Sequence, residues 1–158
     1  MGRHQGARPG SRLVEVFILF ALPFLLDWIV PISILINPPW TYSGIAVMLG
    51  GLVLASAARR MFLEVDTSVQ LQGESHSLVT GGPFRFSRNP MYLGMLLWMV
   101  GLAILLGSLS AFFLPLVLFL VMNFVMIPME EERMMEVCGD AYLDYKARVR
   151  RWLSIPRR

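Results

Sequence analysis

Apolar residues along this chain fall into long blocks, not into alternating positions. Residues 13–37 are apolar apart from a few polar side chains that include Glu15 and Asp27, residues 42–58 carry no charge, and none occurs from Asn89 to Met129. At about 1.5 Å per residue, one helix over that last stretch would be roughly twice the ~30 Å hydrocarbon core of a bilayer. It is therefore expected to fold back near Gly107, Ser108, Leu109 and Ser110, and Asn37, Pro38 and Pro39 make the corresponding break between the first two blocks. The pattern predicts an all-α polytopic membrane protein: four transmembrane helices as two hairpins, with spans over 13–37, 42–58, 90–107 and 110–128. With segments 1–12, 59–89 and 129–158 they form a single membrane domain. Phe62 to Ser87 reads as a polar connection. Beyond the fourth span, Met134, Val137, Cys138, Ala141, Tyr142, Tyr145, Val149 and Trp152 recur at three- and four-residue steps, the stripe of an amphipathic helix that Gly139 interrupts. On periodicity alone, that helix lies on anionic lipid.

Composition agrees. Of 158 residues, 56% are hydrophobic and 16% charged, against roughly 25% charged in an ordinary soluble domain, which excludes a water-soluble enzyme. The net charge of +3 would suit nucleic acid, but its distribution points elsewhere. Three of the 14 Lys and Arg residues precede the first span, four lie in the central segment and seven follow the fourth span, leaving the two opposite turns with none. This positive-inside pattern places both termini and the central segment in the cytoplasm and makes the cations topology markers, with no nucleic-acid partner. The first span reads as an uncleaved signal anchor. One cysteine, Cys138, and two distant histidines, His4 and His76, exclude a structural zinc site, and no metal is expected.

The remaining charges gather at the same boundary. Turn-formers, aromatics and cations alternate from Gly81 to Tyr92, and Glu130, Glu131 and Glu132 return to that face after the next hairpin. Each group alone reads as a solvated span end; together they bring cation, carboxylate, aromatic and amide to one place. The stretch HSLVTGGPFRFSRNPMYLG from His76, followed about 40 residues later by PMEEERMMEVCGDAYLDYKARVRRWL, resembles the isoprenylcysteine carboxyl methyltransferase and phospholipid methyltransferase family of integral membrane enzymes. The resemblance implies S-adenosylmethionine as cofactor, held between the last spans and the C-terminal segment without a Rossmann domain. Carried over by position, the cofactor contacts fall on His76, Ser77, Leu78 and Val79, on Phe84, on Asn89, Pro90, Met91 and Tyr92, on Glu130, and loosely on Gln70. Phe84 or Tyr92 would pack on adenine, Glu130 would accept from ribose hydroxyls or the ammonium, and Arg85 or Arg88 would pair with the carboxylate.

Two positions depart from the family pattern. Asn89 stands where the family usually has histidine, and it cannot titrate near neutrality. Met126 stands where eukaryotic prenylcysteine enzymes place an arginine, which removes the expected clamp for a substrate carboxylate. The implied reaction is in-line transfer of a methyl group to a lipophilic or small acceptor (carboxyl, amine or thiol) entering from the bilayer. A carboxylate needs no base, whereas an amine or thiol must lose a proton, for which Glu131, His76 and Asp27 are candidates. Asp27, mid-span between Pro23 and Pro31, is equally a structural carboxylate bonded within the bundle. Two rivals stand beside this reading: an NADPH-dependent membrane reductase of the sterol reductase type, and a non-catalytic four-helix protein in which Gly44, Gly51, Gly94 and Gly101 serve only helix packing.

Overall fold

A computed structural model describes residues 33–72 and 78–154, with side chains over 33–64 and 78–154. Asp27, His76 and Ser77 lie outside the described residues, as does most of the first predicted span, and Gln70 is described only as part of a helix backbone. The described chain is helical: α1 covers Ser43–Gln72, α2 covers Pro90–Leu106, and α3 is a long rod over Ser110–Arg148. Two stretches, Trp40–Glu64 and Ser110–Arg148, are long and apolar enough to cross a membrane, and only 22% and 33% of their most apolar windows is buried. Leu49, Val53, Phe113, Leu116 and Phe124 are among the side chains left exposed. A helix buried in a soluble core would hide these faces; here they suit lipid.

Three predicted boundaries move. The stretch over 33–37, expected as the end of the first span, is not helical and bridges to the turn after α2. Leu35 and Ile36 donate their N–H groups to the Gly107 carbonyl at 2.8 and 3.1 Å, and Leu109 donates to Ser33 O at 3.1 Å. Pro38 and Pro39 have no N–H to carry a helix through, and a residue before proline is itself biased away from helix. The second helix does not stop at 58 but runs to Gln72, because no Gly or Pro interrupts it between Gly51 and Gly73. The fourth predicted span and the C-terminal helix are one continuous rod, joined by a π-turn over Met122–Met126. The predicted turn after α2 forms with Gly107 in the left-handed region at φ 72°. Gly139, at φ 53° and ψ −129°, kinks the rod.

Four glycines set how α1 meets α2. A Cβ built on Gly51 would lie 2.5 Å from Gly94 O, and one on Gly94 would lie 2.6 Å from Gly51 O. Gly44 and Gly101 face each other in the same way. Each pair is seven residues apart in its own helix, so the two contacts share one face and the antiparallel backbones touch along it. One heptad further along α1, Ala58 is fully buried. Across α2, Met99 packs with Leu114, Leu118, Met122 and Ile127 of the rod.

The amphipathic stripe of the rod faces protein instead of lipid. Tyr142, Tyr145 and Val149 are buried with Ala58 and Phe84, and Met134 and Cys138 pack around them. Val137, read as part of the stripe, is exposed.

Candidate functional site

Where the charged end of the rod meets α1 and the connection into α2, the packing leaves a cavity of about 390 Å³, within the range of ~300–1,000 Å³ usual for small-molecule sites. Helix α1 contributes Ala55, Arg59 and Phe62, residues at helical spacing on one face. The connection contributes Leu78, Val79, Phe84, Arg88 and Asn89, α2 contributes Pro90, Met91, Tyr92 and Met95, and the rod closes the far side with Glu130, Glu131, Met134, Tyr142 and Tyr145.

The connection is held by its neighbours. Gly81 and Gly82 lie under the Met61 side chain, with Gly82 at φ 51°, and Pro83 starts a 3-10 turn that buries Phe84. The Tyr145 hydroxyl, buried, donates to Phe84 O at 2.7 Å. Burial pushes the Tyr145 phenol up to about 12, so at neutral pH it is a fixed donor that holds the Phe84 backbone against the cavity wall. The Asn89 amide, predicted to face the cofactor, gives its Nδ2 to Arg151 O at 3.1 Å. Asn89 therefore borders the cavity while its side chain anchors the C-terminal segment.

Glu131 has a different setting from the base predicted for it. Arg88 Nη1 lies 3.0 Å from Oε1 and Lys146 Nζ lies 3.3 Å from Oε2. Arg151 reaches both oxygens, Nε to Oε1 and Nη2 to Oε2, each at 3.2 Å. Burial raises the Glu131 pKa, but the Arg151 hydrogen bond, the charges of Arg88 and Arg151 and the Lys146 hydrogen bond outweigh it and hold the carboxyl below its ordinary value. A general base works best with a pKa near the operating pH and an open lone pair. Glu131 has a lowered pKa and both oxygens engaged, so the geometry makes it a charge anchor.

Of the three cations around this carboxylate, Arg88 alone borders the cavity. Arg88 is nine-tenths buried, its Nη1 pairs with Glu131 and lies 3.5 Å from the Tyr142 hydroxyl, and its buried Nε has no hydrogen-bond partner among the described residues. A buried, unpartnered guanidinium N–H beside a cavity calls for an acceptor from a ligand. Glu130, next to Glu131 on the rod, faces the Tyr92 hydroxyl, and among the described residues no cation pairs with it. Leu78, Val79, Phe84, Met91 and Met95 make an apolar wall.

Ten of the predicted site residues thus border one cavity: Leu78, Val79, Phe84, Arg88, Asn89, Pro90, Met91, Tyr92, Glu130 and Glu131. The residues that sequence reasoning missed are instructive. Arg59 and Phe62 were hidden by ending α1 at 58, and Ala55 read only as one more apolar residue of that span. Tyr142 and Tyr145 stood in the stripe, where a pair of buried phenols already asks for polar partners. For Arg151 no local signal existed, since its partners Glu131 and Asn123 lie 20 and 28 residues away.

A 79-residue stretch is 33% identical to the Protein-S-isoprenylcysteine O-methyltransferase of Schizosaccharomyces pombe, covering 49% of this chain and 33% of that protein. The Protein-S-isoprenylcysteine O-methyltransferase B of Arabidopsis thaliana is 37% identical over 79 residues, 48% of this chain and 39% of that protein. The match spans less than two fifths of either relative's length. The profile of the phospholipid methyltransferase family matches residues 40–141, well over half of the chain, from the start of α1 through the acidic turn and past the Gly139 kink. This chain belongs to the phospholipid methyltransferase family.

Proposed function

We propose that the protein is an integral membrane methyltransferase that uses S-adenosylmethionine to methylate a lipophilic or small acceptor at the cytoplasmic face of the membrane. The observation that carries this reading is that one cavity, in a chain of this family, is lined by the Arg88 guanidinium, an apolar wall and a Glu130 carboxylate that no cation pairs with among the described residues. The groups fit the cofactor's chemistry. Phe84 offers a face for adenine and the backbone of Leu78 and Val79 its edge, Glu130 suits ribose hydroxyls or the ammonium, and Arg88 suits the carboxylate. His76 and Ser77 join this set by their place in the chain next to Leu78, and Gln70 by its place in α1.

When bound, S-adenosylmethionine supplies an electrophilic methyl group on a cationic sulfur. The chain's own residues hold and align: Arg88 fixed by Glu131 sets one end of the ligand, Tyr92 and Glu130 the other, and the apolar wall excludes water. Alignment of this kind contributes about 7–11 kcal/mol to a bimolecular reaction. Ala55 and Met95 extend the wall toward the apolar parts of α1 and α2, which supports a lipophilic acceptor. Where that acceptor is an amine or thiol, Asp27 and His76 are the proposed proton acceptors, and Glu131, held in its ion pairs, is read as the charge anchor instead. The remainder of the topology belongs to the same proposal: four spans in a single membrane domain, with both termini and the cavity on the cytoplasmic side.

Membranes containing the protein, given methyl-labelled S-adenosylmethionine, are expected to yield one labelled lipid or small molecule that is absent from control membranes. Label in no extractable product, across lipid extracts and soluble metabolites, would count against methyl transfer.

A further inference from the structure

The segment after the rod lies along the connection into α2. Val149 leaves the helix with extended geometry, and the chain then runs along Phe86 to Asn89: Arg88 N donates to Arg150 O at 3.1 Å and Ser154 N donates to Phe86 O at 2.7 Å. Ser87 Oγ and Asn89 Nδ2 both donate to Arg151 O, at 3.2 and 3.1 Å. The backbone of this strap is thus tied down without help from the Arg151 side chain.

That side chain goes elsewhere. It does not border the cavity. Its Nε and Nη2 hold both oxygens of Glu131, and its Nη1 donates to Asn123 O at 3.0 Å, with Asn123 Oδ1 at 3.4 Å. Asn123 sits in the π-turn Met122–Met126, where the shift from i+4 to i+5 bonding disturbs the backbone ladder and leaves a carbonyl open to an outside donor. Trp152 fixes the same asparagine, its Nε1 donating to Asn123 Oδ1 at 3.0 Å while its ring packs on Phe119 with centroids 5.3 Å apart. Of the three cations on Glu131, Arg151 alone grips both oxygens, and a planar fork sets the orientation of a carboxylate where the single Lys146 contact does not.

We propose that Arg151 is a positioning residue for the cavity: braced on the π-turn, it fixes the plane of Glu131, which in turn holds Arg88 Nη1 and keeps the Arg88 guanidinium in place at the cavity. This deepens the proposed cofactor site and rests on it. The chain of contacts is π-turn to Arg151, Arg151 to Glu131, Glu131 to Arg88, and Arg88 to ligand, with only the last residue touching what binds.

The test uses the full chain in detergent, with S-adenosylhomocysteine as the probe. Arg151→Gln is expected to weaken its binding about tenfold, in line with one charge-assisted hydrogen-bond network loosened. Arg151→Lys, which keeps the charge and loses the fork, should restore less than half of that loss on a logarithmic scale. In an Arg88→Gln background, which is itself weakened, Arg151→Gln should add almost nothing, because both act on one contact. A full tenfold further loss in that background, or unchanged affinity for Arg151→Gln alone, overturns the proposal. A second readout needs no ligand: in protein labelled with 15N-arginine, the Arg88 Nε–H resonance should broaden or shift in Arg151→Gln. A lowered melting temperature with that resonance unmoved marks a merely structural Arg151 and overturns the proposal. Should the wild type bind no S-adenosylhomocysteine, the cofactor reading fails, and the Arg88 resonance then decides the positioning role by itself.

Discussion

Replacing Glu131 with glutamine is expected to lower stability by about 3–5 kcal/mol, the usual cost of stripping one partner from a buried ion pair. The size comes from Arg88, whose side chain is 9% exposed beside a 7% exposed carboxylate. Lys146 and Arg151 are 38% and 31% exposed, so solvent screens their share and they add little. Detergent-solubilised Glu131→Gln should melt well below the wild type and lose ligand binding together with stability. A general base would behave differently: the same variant would fold and bind normally and fail only in turnover. The pH dependence has a definite sign. Because the folded-state pKa of Glu131 is held below its ordinary value, the stabilisation is fully present above the ordinary carboxylate range and is lost as pH falls through the depressed folded value. Wild-type stability should therefore drop on acidification, and that part of the drop should be missing from Glu131→Gln.

The second large effect belongs to the glycine face between α1 and α2. In Gly51→Leu the new Cβ would meet Gly94 O at 2.5 Å and Trp98 N at 2.7 Å, both backbone atoms that cannot swing aside. Overpacking of a rigid contact costs about 1–3 kcal/mol and sometimes more, and here the helices themselves must part. Since Ala55, Arg59 and Phe62 of α1 face Met91, Tyr92 and Met95 of α2 across the cavity, separation of the helices should abolish ligand binding as well as lower the melting temperature. Gly50→Ala is the control: no atom lies within 4 Å of its added Cβ, and the substitution should be neutral or slightly stabilising. Equal melting temperatures for Gly51→Leu and Gly50→Ala would show that the two backbones do not touch.

How much of this was legible in the chain depends on the range of the interaction. The helix α2, the turn at Gly107 and the kink at Gly139 follow from local rules, apolar runs and glycines free to take positive φ. The meeting of Arg88 and Tyr92 with Glu130 followed from hairpin geometry, since a tight turn returns both ends to one face. Polar composition misled the reading of α1, where the stretch from Phe62 was taken as a polar connection although the helical run continued to Gln72. The π-turn at Met122–Met126 leaves no trace in hydropathy, because a one-residue shift of the backbone ladder changes no side-chain type. It follows that Asn123, Arg151 and Trp152 could not be grouped, and that Glu131 was read as a base when three cations from distant positions claim it. Tyr142 and Tyr145 were placed on lipid because periodicity names a face without naming what covers it.

The identity of what fills the cavity is tested most directly by a calorimetric titration of the purified protein with S-adenosylhomocysteine and, separately, with NADPH. One saturable site for S-adenosylhomocysteine, weakened in Arg88→Gln, with no heat of binding for NADPH, is the predicted result. Saturable binding of NADPH with none of S-adenosylhomocysteine would contradict the account and turn it toward a membrane reductase.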